Sequence, residues 1–125
     1  MNTKIKILFA EDENETRQNI VTYIQNRYNF EIIEASDGKE ALEKYLLYKP
    51  NLLITDLSMP EMDGLELIEQ IREIDSDIKI IVISAHTEDQ KLEIAHSFNL
   101  VDYHVKPLKR KALISSLDKV LNDLV

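Results

Sequence analysis

Five short apolar segments recur along the chain, each of strand length and rich in β-branched residues. They span residues 5–10, 30–35, 52–55, 78–83 and 101–105. The third segment is continuously apolar and the first and fourth are nearly so, which indicates strands that are buried on both faces. The second segment alternates apolar and charged residues, so we expect it at an edge of the sheet.

Helical patterns follow each of these segments, with apolar residues on one side. The stripes are Ile20, Val21, Ile24 and Tyr28; Ala41, Leu42, Tyr45 and Leu46; Leu67, Ile71 and Ile74; a weaker set of Leu92, Ala95 and Phe98; and Leu113, Leu117, Val120, Leu121 and Leu124. Glu13 or Asn14 lies where the first helix begins, and Ser36 or Asp37 can cap the second. The two glycines of the chain each open a helical pattern.

Strand and helix alternate five times, which predicts an α/β fold: a doubly wound (βα)5 three-layer sandwich around a five-stranded parallel sheet. We expect the flavodoxin-like strand order 2-1-3-4-5, because it makes the second segment an edge and sets the first beside the third. The length fits a single domain over residues 1–125, and we expect no output domain within this chain.

Polar side chains stand at four of the predicted strand ends. Glu11 and Asp12 follow the first strand, Asp56 follows the third, Ser84 the fourth and Lys106 the fifth. Because parallel strands present their carboxyl ends at one edge, where ligands bind in doubly wound folds, we expect these groups to converge.

Three adjacent carboxylates repel one another unless a cation is present or one of them is protonated. An all-oxygen set without Cys or His favours Mg²⁺, with Mn²⁺ as a possible substitute, and disfavours zinc and copper. For any one of these acids, a polar residue in an ordinary turn is the simpler interpretation. The combination with Ser84 and Lys106 favours a metal site.

Asp56 can act as a nucleophile, since carboxylates form aspartyl-phosphate intermediates. A bound cation, Ser84 and Lys106 can each neutralise or hydrogen-bond one phosphoryl oxygen, and transfer needs mainly positioning of this kind. The set lacks an obvious general base. We therefore expect a lasting acyl phosphate, which favours a switch over an efficient hydrolase.

Composition narrows the class of protein. The chain has 125 residues, 44% hydrophobic and 30% charged, and its net charge of -8 disfavours contact with nucleic acid or anionic lipid. It has no cysteine, no signal-like N-terminus and no membrane-length apolar stretch, so we expect a cytoplasmic protein. One basic run, Lys106 with residues 109–111, is interpreted as a solvated turn, the alternative being a docking patch for an acidic partner.

The whole chain resembles the receiver domain of bacterial two-component response regulators, of the stand-alone chemotaxis-regulator kind or truncated from a longer regulator. The matching motifs are Glu11-Asp12, the segment 56–64, Ser84-Ala85 and the segment 103–107. The resemblance implies the following roles: Asp56 as phosphoacceptor, Asp12 as Mg²⁺ ligand, Glu11 as a ligand through water, the Ser58 backbone carbonyl as a further ligand, Ser84 as switch hydroxyl and Lys106 as phosphoryl-binding cation. A histidine kinase or a small acyl phosphate would be the donor.

By the same resemblance Tyr103 is the switch aromatic, turning inward when Ser84 moves toward the phosphoryl group. The fourth helix, fifth strand and fifth helix would then present a changed surface to a partner, an output domain or a second copy. The alternative for Tyr103 is a plain core aromatic. Ser58 and His86 occupy positions that tune dephosphorylation, and His86 either orients water or faces solvent.

Several features depart from the commonest pattern of this family. Glu11 replaces the more frequent aspartate, and residues 97–100 lack a glycine, so we expect an unusual turn before the fifth strand. We expect His96 and His104 on the surface.

Three other functions compete with the switch. A haloacid-dehalogenase-type phosphatase would need an acid two residues after Asp56, where Ser58 stands. A flavodoxin-like cofactor binder would need a phosphate loop after the first strand, where this chain places acids. A degenerate receiver acting as an unphosphorylated scaffold is disfavoured by the intact set of site residues.

Overall fold

The five strands of the computed structural model, which describes residues 4–85 and 89–124, follow the predicted segments closely. They are β1 (Lys6–Ala10), β2 (Glu31–Ala35), β3 (Leu52–Asp56), β4 (Lys79–Ser84) and β5 (Asp102–Val105). All pairings are parallel and the order is β2-β1-β3-β4-β5. The predicted topology is therefore confirmed, with the alternating second segment at one edge.

A helix connects each strand to the next one in sequence, as parallel pairing requires. The helices are α1 (Asn14–Arg27), α2 (Gly38–Tyr48), α3 (Gly64–Ile74), α4 (Asp89–Ala95), a 3-10 turn (His96–Phe98) and α5 (Arg110–Leu124). Asp37 caps α2 by accepting a hydrogen bond from the Glu40 N–H, and Asp63 caps α3 in the same way. Glu13 precedes α1 without a side-chain cap.

Two apolar clusters pack on opposite faces of the sheet. One lies beneath α2, α3 and α4, and the other lies beneath α1 and α5. Every residue of β3 is buried, as its unbroken apolar pattern predicted, whereas β2 is only partly covered. The described part of the chain contains no helix that is both long and apolar enough to cross a membrane.

Both glycines allow backbones to approach closely. A Cβ at Gly64 would lie 1.8 Å from the Asp56 carbonyl oxygen, and one at Gly38 would lie 1.9 Å from the Met62 carbonyl oxygen. Gly64 also donates its N–H to the Leu57 carbonyl at 3.0 Å. The loop between β3 and α3 therefore packs closely against two positions that only glycine can fill, Gly64 at its own end and Gly38 at the start of α2.

The turn before β5 is unusual, as the missing glycine indicated. Asn99 adopts the left-handed conformation with φ 62, which Asn tolerates better than most residues. The Arg72 guanidinium donates to the carbonyls of Phe98 at 2.8 Å and Ile78 at 2.7 Å. An arginine on α3 therefore holds this turn in place.

The expectation that His104 lies on the surface is wrong. Its ring is half-buried against α5, where Nε2 lies 2.8 Å from the hydroxyl of the fully buried Ser116. That hydroxyl donates to Asp102 at 2.6 Å, so the imidazole must donate to Ser116 in turn. Alternation along β5 turns His104 and Asp102 toward α5, which the short segment did not reveal. His96 is exposed, as expected.

Candidate phosphoryl-transfer site

Strand register brings the singled-out residues to one edge of the sheet. Ala10 pairs with Thr55, so Glu11 and Asp56 leave neighbouring strands at the same level. Ser84 ends β4, and the Lys106 N–H donates to the Ser84 carbonyl at 2.7 Å. Four stretches that are distant in sequence meet here.

An acidic group forms the floor of this site. Ligand oxygens of Glu11, Asp12 and Asp56 all lie within 4.8 Å of one another. Glu11 and Asp56 are buried, with 2% and 4% exposure, whereas Asp12 is exposed. Burial raises the pKa of Glu11, and the charge of Asp56 raises it further, against the opposing effects of the Glu13 N–H and Lys106. Such a set of oxygens suits a hard divalent cation.

The ammonium of Lys106 already occupies part of this space. Its Nζ lies 2.6 Å from Asp56 Oδ2 and 3.2 Å from Glu11 Oε1. Burial disfavours the charged amine, but the hydrogen bond and charge of Asp56, with help from Glu11, outweigh it and raise the pKa of Lys106. A cation that bridges two buried carboxylates is a direct sign that the site attracts positive charge.

Ser84, at the end of β4, is the second hydrogen-bond donor of the site beside Lys106. It is 1% exposed, and its hydroxyl finds no hydrogen-bond partner among the described residues. A buried hydroxyl without a partner is costly, and it can be satisfied by an acceptor that enters the site. A phosphoryl oxygen on Asp56 is such an acceptor.

Of the two residues expected to tune dephosphorylation, Ser58 is the one that the structure describes. Ser58 is exposed and its backbone N–H donates to Asp56 Oδ1 at 3.2 Å, so its peptide lies against the carboxylate. His86 lies outside the described residues.

Tyr103 is not a core aromatic. Its side chain is 43% exposed, and its ring meets the ring of His96 edge to face, with centroids 4.9 Å apart. The aromatic on β5 is therefore exposed, beside the 3-10 turn that follows α4.

A groove of about 370 Å³ adjoins the site between α1 and the segment that follows β5. Glu11 and Lys106 line its inner end, and the Arg110 guanidinium stacks over the Tyr23 ring at 4.9 Å on its wall. The basic run is therefore divided: Lys106 belongs to the site and Arg110 to the groove, while Lys109 and Lys111 face solvent.

Arg17 was missed by the sequence reasoning. From α1 its Nη1 donates to the Glu11 carbonyl oxygen at 2.7 Å, beside the acidic group. Its position one turn into the helix that follows the acidic pair was the only signal in the sequence, and that position alone does not distinguish it from an arginine on a solvated helix face.

Comparison with known proteins agrees with this geometry. A family model described as the response regulator receiver domain matches residues 7–118. The chemotaxis protein CheY of Bacillus subtilis is 32% identical over 118 residues, which cover 94% of this chain and 98% of CheY.

A second relative is longer. The response regulator protein VraR of Staphylococcus saprophyticus is 29% identical, and the match covers 95% of this chain but 57% of VraR. Among solved structures, the REC domain of AraT, a response regulator from Geobacillus stearothermophilus, superposes with a TM-score of 0.90 at 37% identity, covering 98% of this chain and 96% of that one. The family match spans most of the chain, and the fold and strand order agree with it: this chain belongs to the response regulator receiver domain family.

Proposed function

We propose that the protein is a phosphorylation-dependent switch in which Asp56 is the phosphoacceptor. The observation that carries this proposal is the convergence of a buried carboxylate with two further acids, an ammonium, and a buried hydroxyl that has no hydrogen-bond partner among residues 4–85 and 89–124. As a receiver domain the chain is a regulatory phosphoacceptor, and we propose that it acts on no other substrate.

Mg²⁺ fits the donor set, and Mn²⁺ would be an acceptable substitute. Asp12 and Asp56 would bind the ion through carboxylate oxygens, Ser58 through its backbone carbonyl and Glu11 through water. When bound, the ion neutralises negative charge on a phosphoryl oxygen. The fit is supported by the all-oxygen chemistry of the acids and by the lysine ammonium that lies between two of them.

The transfer step uses the carboxylate of Asp56 as nucleophile. One of its oxygens forms a bond to phosphorus as the donor's P–N bond, in a phosphohistidine, or P–O bond, in an acyl phosphate, breaks. The leaving imidazole or carboxylate keeps the bonding electrons. Lys106, already 2.6 Å from Asp56 Oδ2, then pairs with a phosphoryl oxygen, and the Ser84 hydroxyl donates a hydrogen bond to another.

The acyl phosphate should be lost slowly, since neither a protonated amine nor a serine hydroxyl is an efficient base for attacking water. We propose that Ser58 and His86, which flank the site in sequence, tune this autodephosphorylation. A steady hydrolase is disfavoured because Ser58 stands where a phosphatase would carry its acid.

Phosphorylation of Asp56 would change the surface that lies on the side of Ser84 away from the phosphoryl group. The new phosphoryl group, with a charge of about -1.5 to -2, is stabilised only where Ser84 and Lys106 reach it. Movement of Ser84 opens space beside β4 into which Tyr103 can turn, and the exposed face of α4, β5 and α5 changes shape. This is a population shift toward the conformer that binds the phosphoryl group better.

The partners follow from this role. We propose a sensor histidine kinase or phosphotransfer protein as donor, and a target protein or output domain as receiver of the signal, with dimerisation through α4, β5 and α5 as one form of response. Residues 1–125 would act as one receiver domain. The net charge of -8 argues against direct contact with nucleic acid or a membrane surface.

Intact-mass measurement with acetyl phosphate and Mg²⁺ tests the proposal. We expect one phosphoryl adduct that hydroxylamine removes, that chelation of the metal prevents, and that Asp56→Asn lacks. Sustained multiple turnover of a general phosphomonoester would instead favour a phosphatase.

A further inference from the structure

Arg17 is the one side chain from a helix that binds the backbone of the acidic pair, within the described ranges 4–85 and 89–124. Its side chain is only 11% exposed. Nη1 donates to the Glu11 carbonyl at 2.7 Å, Nε to Glu34 Oε1 at 3.0 Å and Nη2 to Asn14 Oδ1 at 2.6 Å. Each nitrogen of the fork thus has a partner, so the guanidinium is held in one orientation.

The Glu11 carbonyl belongs to the peptide that joins Glu11 to Asp12. That unit is planar, so a hydrogen bond to its oxygen fixes the direction in which the Asp12 Cα leaves the strand. The preceding peptide is fixed by the sheet, through the Glu11 N–H to the Ala35 carbonyl at 3.0 Å. The hydrogen bonds between β1 and its neighbouring strands end at Glu11. The hydrogen bond from Arg17 fixes the next peptide, which leads to Asp12.

Asp12 depends on this extension. It is exposed and lies beyond β1, unlike the buried Glu11 and Asp56, yet its carboxylate oxygen lies within 4.8 Å of theirs. Burial does not hold the Asp12 carboxylate there, so its position depends on the backbone that carries it and on its hydrogen bond with the Glu11 side chain.

We propose that Arg17 is a positioning residue for the metal-binding acid Asp12, acting through the Glu11–Asp12 peptide. This inference rests on the proposed function, because it assigns a residue to the binding of the divalent cation. Positioning partners of this kind commonly account for tenfold or more in metal affinity.

The direction in which cation affinity changes when Arg17 is removed distinguishes a positioning role from a purely electrostatic one. Arg17 carries a positive charge near a cation site, so its removal should tighten cation binding on Coulombic grounds alone. Loss of positioning has the opposite effect, and weaker binding in an Arg17 variant therefore indicates that orientation of Asp12 outweighs the lost repulsion.

The experiment measures Mn²⁺ binding to the unphosphorylated protein by electron paramagnetic resonance, with Mg²⁺ competition, and needs no turnover. We expect Kd to rise about tenfold in Arg17→Ala and Arg17→Gln, with partial rescue in Arg17→Lys, which keeps one donor. Gln18→Ala is the matched control, because Gln18 donates to the same Glu34 oxygen at 2.8 Å from the same helix without reaching Glu11. Its Kd should equal that of the wild type.

The maximal rate of phosphorylation at saturating Mg²⁺ should stay near the wild-type rate in these variants, since Asp56, Ser84 and Lys106 are untouched. Should Arg17→Ala fail to fold, Arg17→Gln decides the question. Unchanged or tighter Mn²⁺ binding in a folded Arg17 variant overturns the inference and leaves the proposed function standing. Absence of Mn²⁺ binding in the wild type would instead defeat the proposed function, and the inference with it.

Discussion

At the scale of single residues, the site sets the negative charge of buried carboxylates against the positive charge of one ammonium. Asp56 and Glu11 are almost completely enclosed, and Lys106 satisfies one oxygen of each. A buried ion pair of this kind contributes little net stability, because desolvation offsets the attraction. We infer that the charges are arranged for a cation and a phosphoryl group.

The raised pKa of Glu11 makes a prediction for stability. A carboxyl whose folded pKa lies above its unfolded value favours folding at low pH, and that contribution is lost as pH rises through the folded pKa. Glu11→Gln should therefore be more stable than the wild type at neutral pH, by an amount on the order of 1 kcal/mol, with the advantage shrinking toward pH 4. Urea titrations at several pH values measure this. Equal gains at all pH values would show that Glu11 ionisation is not the cause.

In the proposed switch, Lys106 and Ser84 contact the bound phosphoryl group but do not accept it, so their removal should weaken the conformational response more than the phosphorylation of Asp56. Lys106→Ala and Ser84→Ala should still accept some phosphate on Asp56 while the change at Tyr103 is reduced. Mass spectrometry follows the phosphate, and fluorine NMR of fluorotyrosine-labelled protein follows the ring. A full ring response in either variant would contradict the assigned roles.

At the scale of elements, the β3–α3 loop depends on Gly64. The residue needs no positive φ, so Gly→Ala would ordinarily stabilise a helix. Here the new Cβ would meet the Asp56 carbonyl oxygen at 1.8 Å. We expect Gly64→Ala to lose at least about 2 kcal/mol of unfolding free energy and to weaken phosphorylation. Thermal melts measure the loss, and a stabilised variant would refute the close approach.

The contact between β5 and α5 depends on Ser116, whose hydroxyl lies between His104 and Asp102. Ser116→Ala removes the hydroxyl that joins His104 to Asp102, although Asp102 still accepts from the Tyr103 N–H and Lys119, and it should cost about 1–3 kcal/mol. Ser115→Ala, on the exposed side of the same helix, is the matched control. Equal melting temperatures for the two variants would show that the buried network contributes nothing.

The strands and helices of this chain, and their order, could be predicted from the sequence, whereas several side-chain contacts between elements could not. Strand order followed from the unbroken apolar pattern of β3 and the alternation of β2, because burial on one or two faces leaves a period in the sequence. His104 and Arg17 were not predictable in this way. Each is placed by a partner from another element, Ser116 and the Glu11 carbonyl, and such pairings leave no local pattern.

At the scale of the whole molecule, the fold places the proposed phosphoryl-transfer site at one end of the sheet and the proposed response surface along one side. Ser84 and Tyr103 lie on paired strands, with Ser84 beside Val105 and Val82 beside Tyr103. In the proposed switch, a movement of Ser84 on β4 therefore has to cross only one strand spacing to reach Tyr103 on β5.

The central claim is that Asp56 carries the phosphoryl group, and borohydride trapping tests it most directly. Reduction of an aspartyl phosphate converts that aspartate to homoserine, which peptide mass spectrometry locates by position. After treatment with acetyl phosphate and Mg²⁺, we predict homoserine at position 56. Homoserine at another aspartate, or no reduced residue at position 56 despite complete folding, would contradict the account.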